Sequence, residues 1–270
     1  MKVAEVVRLV QLRIRERAGE EDLQQARELV GCALGVEAAA LPMHHGMDVT
    51  GEQLGLIGEL TDRRAAGEPL QYIVGGWDFM GLPFLLEPCV LIPRPETEQL
   101  CERAIELVKS RGYTTALDLC CGSGCLGVAL TALTGVAVTA ADVDPDCLRV
   151  TRENAALNGA DVTAVESDFF RGIDGSFDIL VSNPPYLSDA DMGRLQTELT
   201  YEPRLALYGG FDGLDAYRAI EKDWRAHCNP GGVLLLEIGA AQADGIHRLF
   251  PGAVILNDYA GHPRIAEVER

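Results

Sequence analysis

The sequence has no long hydrophobic run. Nowhere in its 270 residues does an apolar stretch approach the roughly 20 residues that a helix needs to cross a membrane. Charged side chains such as Glu5, Arg8 and Arg13 interrupt residues 1–23, which therefore lack the continuous apolar segment of a signal peptide. We expect no membrane association and a cytoplasmic protein.

Basic residues are scarce relative to acidic ones. The chain has 23 lysines and arginines against 41 aspartates and glutamates, which gives a formal net charge of −18. Nucleic-acid binding depends on basic side chains that neutralise phosphates. The charge balance therefore disfavours a nucleic acid as the main partner, although it leaves room for a local basic patch.

Cysteine pairs with metal-binding spacing are also absent. No Cys-x-x-Cys pair occurs, and no histidine lies near the cluster of Cys120, Cys121 and Cys125, so the spacing does not suit zinc. We expect no metal site and interpret the cysteines as free thiols in a reducing compartment. The eight are Cys32, Cys89, Cys101, Cys120, Cys121, Cys125, Cys147 and Cys228.

What is present is ordinary globular composition, with 47% hydrophobic and 24% charged residues. Residues 1–75 carry apolar residues at three- and four-residue steps, which predicts a bundle of short helices. Gly35 is expected to end the second helix, and Thr50 with Gln53 forms a capping-box pattern at the start of the third. The sequence thus predicts a small N-terminal helical domain.

The pattern changes over residues 72–92, where β-type residues such as Tyr72, Phe79 and Phe84 are punctuated by glycine and proline. This composition predicts a β-hairpin. We expect residues 76–92 to be a hairpin linker between the helical domain and a larger domain at 93–270.

Short apolar strands alternate with helices in the larger domain. Asp144 is expected to cap a helix that begins at Pro145. Because the strands are continuously apolar and separated by helices, the sequence predicts an α/β fold with a parallel sheet covered on both faces. Strands are expected at 116–119, 136–141, 162–165, 177–181 and 232–236, with two short strands near 253–256 and 265–268.

A glycine-rich segment follows the first of these strands and opens a helix. Residues 118–127 read DLCCGSGCLG and place Gly122, Gly124 and Gly127 at GxGxxG spacing. Glycines let the backbone approach a ligand, and a helix N-terminus offers free N–H groups. Alone, the motif suits a dinucleotide or S-adenosylmethionine equally, and a tight turn without a ligand is a third interpretation.

Two further strand ends carry residues suited to a nucleoside. Asp142 ends the second strand, where a carboxylate can accept both hydroxyls of a ribose. Asp168 and Phe169 follow the third strand, where the acid could bind an adenine amine and the ring could cover the base. A core position is the alternative interpretation of Phe169.

The segment Asn183-Pro184-Pro185-Tyr186 follows the fourth strand and is the most informative motif. Two consecutive prolines fix the backbone and remove two donors, which leaves the Asn183 side-chain oxygen and the Pro184 carbonyl as acceptors. Such acceptors suit a planar –NH₂ substrate, and the Tyr186 ring offers a flat face. Holding both hydrogens of the amine would turn its lone pair toward an electrophile.

These motifs together resemble the class I S-adenosylmethionine-dependent amino-methyltransferases. The wider pattern resembles the peptide chain release factor N5-glutamine methyltransferases, the PrmC/HemK family, over nearly the whole chain. Residues 92–98, IPRPETE, together with 183–186, NPPY, make the resemblance specific. Other matching positions are 67–75, Phe79, Gly81, Phe84, 90–91, 118–124, Asp142, 201–203, 206–207, 209–210, 212–213, 237–239 and Gln242.

The resemblance implies a Rossmann-like seven-stranded methyltransferase domain at 93–270 and an N-terminal domain at 1–75 that engages the substrate. It implies S-adenosylmethionine as cofactor and S-adenosylhomocysteine as product. The implied substrate is the glutamine of the Gly-Gly-Gln motif in bacterial class I release factors, methylated at its side-chain amide nitrogen.

Site residues carry over from the resemblance position by position. Asp142 is implied to hold the ribose, Phe169 to lie against the adenine, and Asn183 to contact both cofactor and substrate. The residues implied to hold the glutamine amide are Asn183, Pro184, Pro185 and Tyr186. The residues implied to form the methionine-side loop are Cys120, Cys121, Gly122, Ser123 and Gly124.

The chain departs from the family pattern in this loop, since Cys120 stands where glycine is frequent and Cys121 where threonine is frequent. A missing threonine hydroxyl bears on cofactor affinity rather than on activity. Arg94, Glu96 and Glu98 belong to the matching segment at 92–98, but a structural ion pair accounts for them at least as well as catalysis, so we do not count them as catalytic.

Three other functions compete with this interpretation. An N6-adenine or N4-cytosine methyltransferase also needs acceptors for a conjugated –NH₂, but it usually carries a basic surface or an added recognition domain. An NAD-dependent oxidoreductase would explain GxGxxG and leave residues 183–186 unexplained. A non-catalytic binding module is the third alternative.

Overall fold

The computed structural model describes residues 1–270, apart from the side chains of Arg17 and Glu20. The chain divides into two compact units. One comprises Met1–Gly76 with Gln196–Tyr201, and the other comprises Trp77–Leu195 with Glu202–Arg270. Within the described part of the chain, no helix has the length and apolarity that a membrane span requires.

The first unit is helical, as the sequence predicts. Gly35 adopts a left-handed φ of 66° and ends the second helix. The capping box is present, because the Gln53 amide donates to Thr50 Oγ1 at 3.3 Å and the Thr50 amide donates to Gln53 Oε1 at 2.9 Å. The helices are α1 (Val3–Ala18), α2 (Asp22–Leu34), α3 (Gly51–Ala65) and α4 (Leu70–Val74), with 3₁₀ turns at Gly19–Glu21, Ala38–His44 and Glu198–Tyr201.

The hairpin is shorter than the sequence predicts. Its strands are β1 (Gly76–Phe79) and β2 (Leu82–Leu85), joined by a tight turn with positive φ at Met80 and Gly81. Residues 72–74 lie in α4 instead of a strand, because Leu70 and Ile73 bury one helical face in the core of the first unit. Residues 90–92 lie outside any strand. The predicted hairpin is therefore wrong at both ends.

The second unit contains a seven-stranded sheet in the order β5-β4-β3-β6-β7-β9-β8. The sequence predicted a parallel sheet, and β3 to β7 are parallel, but β9 is antiparallel to both neighbours. The short connection between β8 and β9 allows only a hairpin-like return. The strands are β3 (Thr115–Leu119), β4 (Ala137–Asp142), β5 (Val162–Glu166), β6 (Phe177–Ser182), β7 (Cys228–Glu237), β8 (Val254–Asn257) and β9 (Pro263–Glu269).

Helices cover both faces of this sheet, as predicted. One core contains Leu100, Leu126 and Val128 from the helices on one face, and the other contains Tyr217, Trp224 and further residues from the opposite face. The helices are α5 (Pro95–Arg111), α6 (Cys125–Thr134), α7 (Pro145–Leu157), α8 (Asp189–Met192), α9 (Arg204–Leu207), α10 (Asp215–His227) and α11 (Ala243–Leu249).

The register of the parallel strands aligns their carboxyl ends. Leu119 of β3 pairs with Ala141 of β4 and with Ser182 of β6, and Ser182 pairs with Leu236 of β7. Residues that follow these positions therefore meet at one edge of the sheet. Ligands of open α/β sheets bind at this edge.

Candidate active site

A cavity of about 380 Å³ opens at the carboxyl edge of the sheet, within the second unit. Its volume falls within the range of small-molecule sites. It brings together most of the residues that the sequence singled out, but Gly124, Pro184 and Tyr186 do not line it. The predicted residues that line it are Cys120, Cys121, Gly122, Ser123, Asp142, Phe169, Asn183 and Pro185.

The glycine-rich loop between β3 and α6 forms one wall of this cavity. Cys120, Gly122 and Gly124 have positive φ values of 58°, 54° and 77°, so the chain turns tightly before the helix begins. A Cβ atom added at Gly122 would meet nothing within 4 Å, so the backbone is open on this side. At Gly127 a Cβ would lie 2.9 Å from Val138 Cγ1, which shows that this glycine permits close packing of α6 on the sheet.

Two polar side chains of α7 support the loop from behind. Thr151 Oγ1 donates to the Gly122 carbonyl at 3.1 Å, and Asn154 Nδ2 donates to the Ser123 carbonyl at 2.9 Å. Both Thr151 and Asn154 are fully buried. These bonds give two loop carbonyls a buried donor each, so the loop keeps its shape without a ligand.

Asp142 lies at the end of β4 beside this loop. Its Oδ2 accepts from the Gly122 amide at 2.9 Å and its Oδ1 from the Asp144 amide at 3.0 Å. Asp144 caps α7 by accepting from the Asp146 amide, as predicted. Burial raises the pKa of Asp142 above its usual value. Each carboxylate oxygen keeps acceptor capacity, which two adjacent hydroxyl groups would satisfy.

Phe169 lines the cavity and also packs against the core under one sheet face, so its position is partly a core position. Its φ of 51° is unusual for a bulky residue. Ser167 secures this turn, because its Oγ donates to the Phe169 carbonyl at 2.5 Å and accepts from the Gly172 amide at 2.9 Å. The backbone conformation of this turn therefore places the Phe169 ring at the cavity wall.

The segment from Asn183 to Tyr186 follows β6, and two of its residues, Asn183 and Pro185, line the other side of the cavity. Asn183 Nδ2 donates to Thr97 Oγ1 at 3.2 Å, and Thr97 Oγ1 donates to Glu237 Oε2 at 2.7 Å. Tyr186 contacts the other oxygen of Glu237, its hydroxyl lying 3.4 Å from Oε1. Burial raises the pKa of Glu237 to about 7 and also raises the pKa of Tyr186.

The loops around this segment are packed tightly onto it. Gln242 Nε2 donates to the carbonyls of Tyr186 and Gly213, each at 3.0 Å. A Cβ at Gly209 would lie 2.7 Å from the Pro185 carbonyl oxygen, so only glycine fits there. Gln242 and Gly209 belong to matching segments of the sequence, and the structure shows that they hold residues 183–186 in place.

Arg94 forms an ion pair, which is one of the two interpretations that the sequence left open. It contacts Glu202, and the other oxygen of Glu202 accepts from the Ile92 amide at 3.1 Å. Glu98 accepts from the Met80 amide at 2.8 Å and so secures the hairpin turn. The segments around 94 and 202 are thereby joined near the cavity.

All eight cysteines are free, as predicted. Burial raises the pKa of Cys120 and Cys121, which keeps these thiols protonated beside the cavity. In the described part of the chain, no three histidine, cysteine, aspartate or glutamate side chains are placed to hold a metal ion.

Sequence reasoning assigned no role to Thr97, Glu237 or Gln242, although all three lie in matching segments. A signal for Glu237 was available, since an acidic residue directly follows the apolar strand at 232–236. Thr97 carried no comparable signal, because its partners lie 86 and 140 residues away.

The residues of the cavity fit S-adenosylmethionine. A carboxylate suits the ribose, an aromatic ring suits the adenine, and a glycine-rich loop with an open backbone face suits the amino-acid end. The orientation of Asp142 toward Gly122 places the first and third of these features side by side. S-Adenosylmethionine is accordingly the cofactor.

Comparison with known proteins places these features in a family. The methyltransferase small domain family matches residues 104–205, and the PrmC N-terminal domain family matches residues 5–75. The structure of a Thermus thermophilus 16S rRNA N2 G1207 methyltransferase, in complex with AdoMet and guanosine, shares the fold. Its TM-score is 0.54 at 21% identity, covering 72% of this chain and 49% of that one.

Relatives of known name extend the match over most of the chain. A release factor glutamine methyltransferase of Geobacter sulfurreducens is 39% identical, covering 87% of this chain and 83% of the relative. Another, from Bradyrhizobium diazoefficiens, is 36% identical, covering 97% of this chain and 93% of the relative. The chain therefore belongs to the release factor glutamine methyltransferase family.

Proposed function

We propose that the protein methylates the side-chain amide nitrogen, N5, of the glutamine in the Gly-Gly-Gln motif of bacterial class I release factors. The observation that carries this proposal is the segment at 183–186, of which Asn183 and Pro185 line the cavity at the carboxyl edge of the sheet. Because release factors act on ribosomes, the same proposal places the protein in the cytoplasm.

The cofactor-side residues have separate tasks. Asp142 accepts hydrogen bonds from the ribose, Phe169 covers the adenine, and the loop at 120–124 holds the amino-acid end. When bound, S-adenosylmethionine supplies a methyl group on a positively charged sulfur, and transfer to nitrogen breaks the S–C bond and releases one proton. Residues 120–124 are supported from behind by α7, so little loop ordering accompanies binding.

The substrate-side residues address the low nucleophilicity of an amide. Asn183 Oδ1 and the Pro184 carbonyl accept the two N–H groups of the glutamine side chain, which favours a more pyramidal nitrogen. Tyr186 lies against the planar amide, and Pro185 lines the cavity beside it. Positioning of this kind supplies most of the rate, because it removes the entropy cost of aligning the reacting atoms.

The helical unit is the natural candidate for engaging the release factor outside the glutamine itself. It has a core of its own, built from Val3, Ile14, Leu29 and other buried residues. Its match to the PrmC N-terminal domain supports the assignment of residues 1–75 to substrate engagement, with residues 93–270 as the methyltransferase domain.

Labelled S-adenosylmethionine and purified release factor test the function directly. We expect label on the wild-type release factor and none on a variant with Gln→Ala in the Gly-Gly-Gln motif. Asn183→Ala should abolish transfer while the protein stays folded. Label on the Gln→Ala factor would contradict the assigned atom, and full transfer by Asn183→Ala would contradict the role of Asn183.

The nucleic-acid amino-methyltransferase remains the informative competitor, because it shares the motif at 183–186. DNA and RNA are therefore tested in parallel with the release factor. Label on a nucleic acid, and none on the release factor, would replace the proposed substrate while leaving the cofactor assignment intact.

A further inference from the structure

The side-chain amide of Asn183 has two ends with opposite hydrogen-bonding character. Only its oxygen, Oδ1, can accept an N–H group of a substrate amide, whereas Nδ2 would oppose it donor to donor. In the structure Nδ2 donates to Thr97 Oγ1 at 3.2 Å, and no hydrogen bond to Oδ1 comes from the described residues. The direction of the amide is therefore set by Thr97.

Thr97 is itself constrained by Glu237. The Thr97 hydroxyl donates its single hydrogen to Glu237 Oε2 at 2.7 Å, and both residues are 1% exposed. An ionised carboxylate can only accept, so the hydroxyl hydrogen is committed to it. The Thr97 oxygen is then left with lone pairs alone, and these require a donor, Asn183 Nδ2.

Tyr186 is held by the same carboxylate. Its hydroxyl lies 3.4 Å from Glu237 Oε1, so this buried carboxylate contacts Tyr186 directly and is linked to Asn183 through Thr97. Glu237 is the last residue of β7 and pairs with Ile265 of β9, and the preceding residue, Leu236, pairs with Ser182 of β6. Its position is thus fixed by the sheet.

We infer that Thr97 is a positioning residue, which with Glu237 behind it keeps the Asn183 side chain turned with its oxygen toward the substrate glutamine. This inference rests on the proposed function, since it needs a substrate that donates N–H groups to Asn183. Thr97 acts through Asn183, and Glu237 acts through Thr97 and Tyr186.

Protonation of Glu237 would release the constraint. A neutral carboxyl group can donate, which frees the Thr97 hydroxyl hydrogen and allows either orientation of the Asn183 amide. Burial raises the pKa of Glu237 to about 7, so this change falls in an accessible pH range. The other groups that face Glu237 are Arg264, which lowers its pKa, Glu96, which raises it, and Tyr186, Tyr217 and Cys125.

Thr97→Val and Thr97→Ser separate orientation from packing. Valine matches the shape of threonine and removes the hydroxyl, whereas serine keeps the hydroxyl. We expect Thr97→Val to lower kcat for release factor methylation about 10- to 100-fold, since misaligned reacting groups cost rates of this order. Its KM for the release factor and its Kd for S-adenosylmethionine should stay within threefold, and Thr97→Ser should recover kcat to within about threefold of wild type.

Thr131→Val is the matched control. Thr131 lies on α6, outside the cavity lining, and its hydroxyl donates to the Val136 carbonyl. Its kcat should equal that of wild type. If Thr97→Val retains wild-type kcat, or if Thr97→Ser fails to recover it, the inference is overturned. Wild-type protein that methylates no release factor would instead overturn the proposed function.

Glu237→Gln provides a second test that does not depend on how Thr97→Val folds. Glutamine keeps the shape, carries donor and acceptor at every pH, and so never commits the Thr97 hydrogen. We expect the ratio of wild-type to Glu237→Gln kcat to rise about tenfold between pH 6 and pH 8, as Glu237 loses its proton. Taking the ratio cancels the titration of Asp118, whose pKa burial also raises to about 7. A ratio that is flat across this range would overturn the role of Glu237.

Discussion

Cys120 adopts a backbone conformation that residues with a Cβ atom avoid. Its φ of 58° lies in the left-handed region, which costs such a residue about 1–2 kcal/mol. The conformation is needed because the chain must leave β3 and turn at once into the loop that lines the cavity. The strain therefore has its origin in the shape of the site.

This strain predicts an inverted order of stability at Cys120. We expect Cys120→Gly to be more stable than Cys120→Ala by about 1 kcal/mol, because only glycine is free of the left-handed penalty. Both variants lose the thiol, so its contacts cancel in the comparison. Urea denaturation measures the difference.

Cys101 supplies the control, since it is buried in the middle of α5. There the usual order holds, and Cys101→Ala should be more stable than Cys101→Gly by about 1 kcal/mol. Finding alanine more stable than glycine at position 120 as well would show that the left-handed conformation is not costly in this loop.

At the scale of elements, Asn154 of α7 joins the hairpin to the glycine-rich loop between β3 and α6. Its Nδ2 donates to the carbonyls of Ser123 and Leu85, at 2.9 and 3.1 Å, and its Oδ1 accepts from the Leu85 amide at 2.7 Å. One side chain thereby satisfies three backbone groups from two separate elements. Asn158, one turn later, is half-buried, and its bond to the Pro83 carbonyl at 2.8 Å is exposed.

Replacing Asn154 should therefore destabilise the protein far more than replacing Asn158. We expect Asn154→Ala to lower the free energy of unfolding by about 2–3 kcal/mol, because backbone groups are left buried without partners. Asn158→Ala should cost less than about 1 kcal/mol, since water replaces an exposed bond. Urea denaturation measures both changes, and equal effects would mean that the Asn154 bonds do not join these elements.

At the scale of the whole molecule, the net charge of −18 bears on the choice of partner. A nucleic-acid binder draws affinity from the release of counterions by basic side chains, and this chain has an excess of acidic ones. The family to which it belongs is named for a protein substrate. The net charge and the family name therefore favour the same kind of substrate, a protein rather than a nucleic acid.

The charge predicts that nucleic acid will not compete with the release factor. Duplex DNA added in excess at physiological salt should leave the methylation rate unchanged, with a Kd for DNA weaker than about 100 μM. The rate is measured with labelled S-adenosylmethionine, and a polyanion such as heparin serves as the control for non-specific effects. Inhibition by DNA that disappears at high salt would reveal a basic patch that net charge conceals.

Local features of the chain could be predicted because neighbouring residues cause them. Gly35 ends a helix, Thr50 and Gln53 cap one, and Asp144 with Pro145 starts one, each through contacts within a few residues. The alternation of apolar strands and helices likewise determined the α/β fold and the edge at which Asp142 and Asn183 meet. These inferences needed only the order of the residues.

Features that depend on distant contacts required the tertiary structure. Residues 72–74 have β-type side chains, yet the core of the helical unit makes them helical. The antiparallel β9 follows from pairing with β7 and β8. Thr97 meets Glu237 across 140 residues, a contact that no local pattern encodes. The sequence by itself determined that Gly122, Asp142 and Asn183 meet at one edge of the sheet, because each directly follows or ends a parallel strand. Only the folded chain placed Thr97 between Asn183 and Glu237, because these three side chains are far apart in sequence.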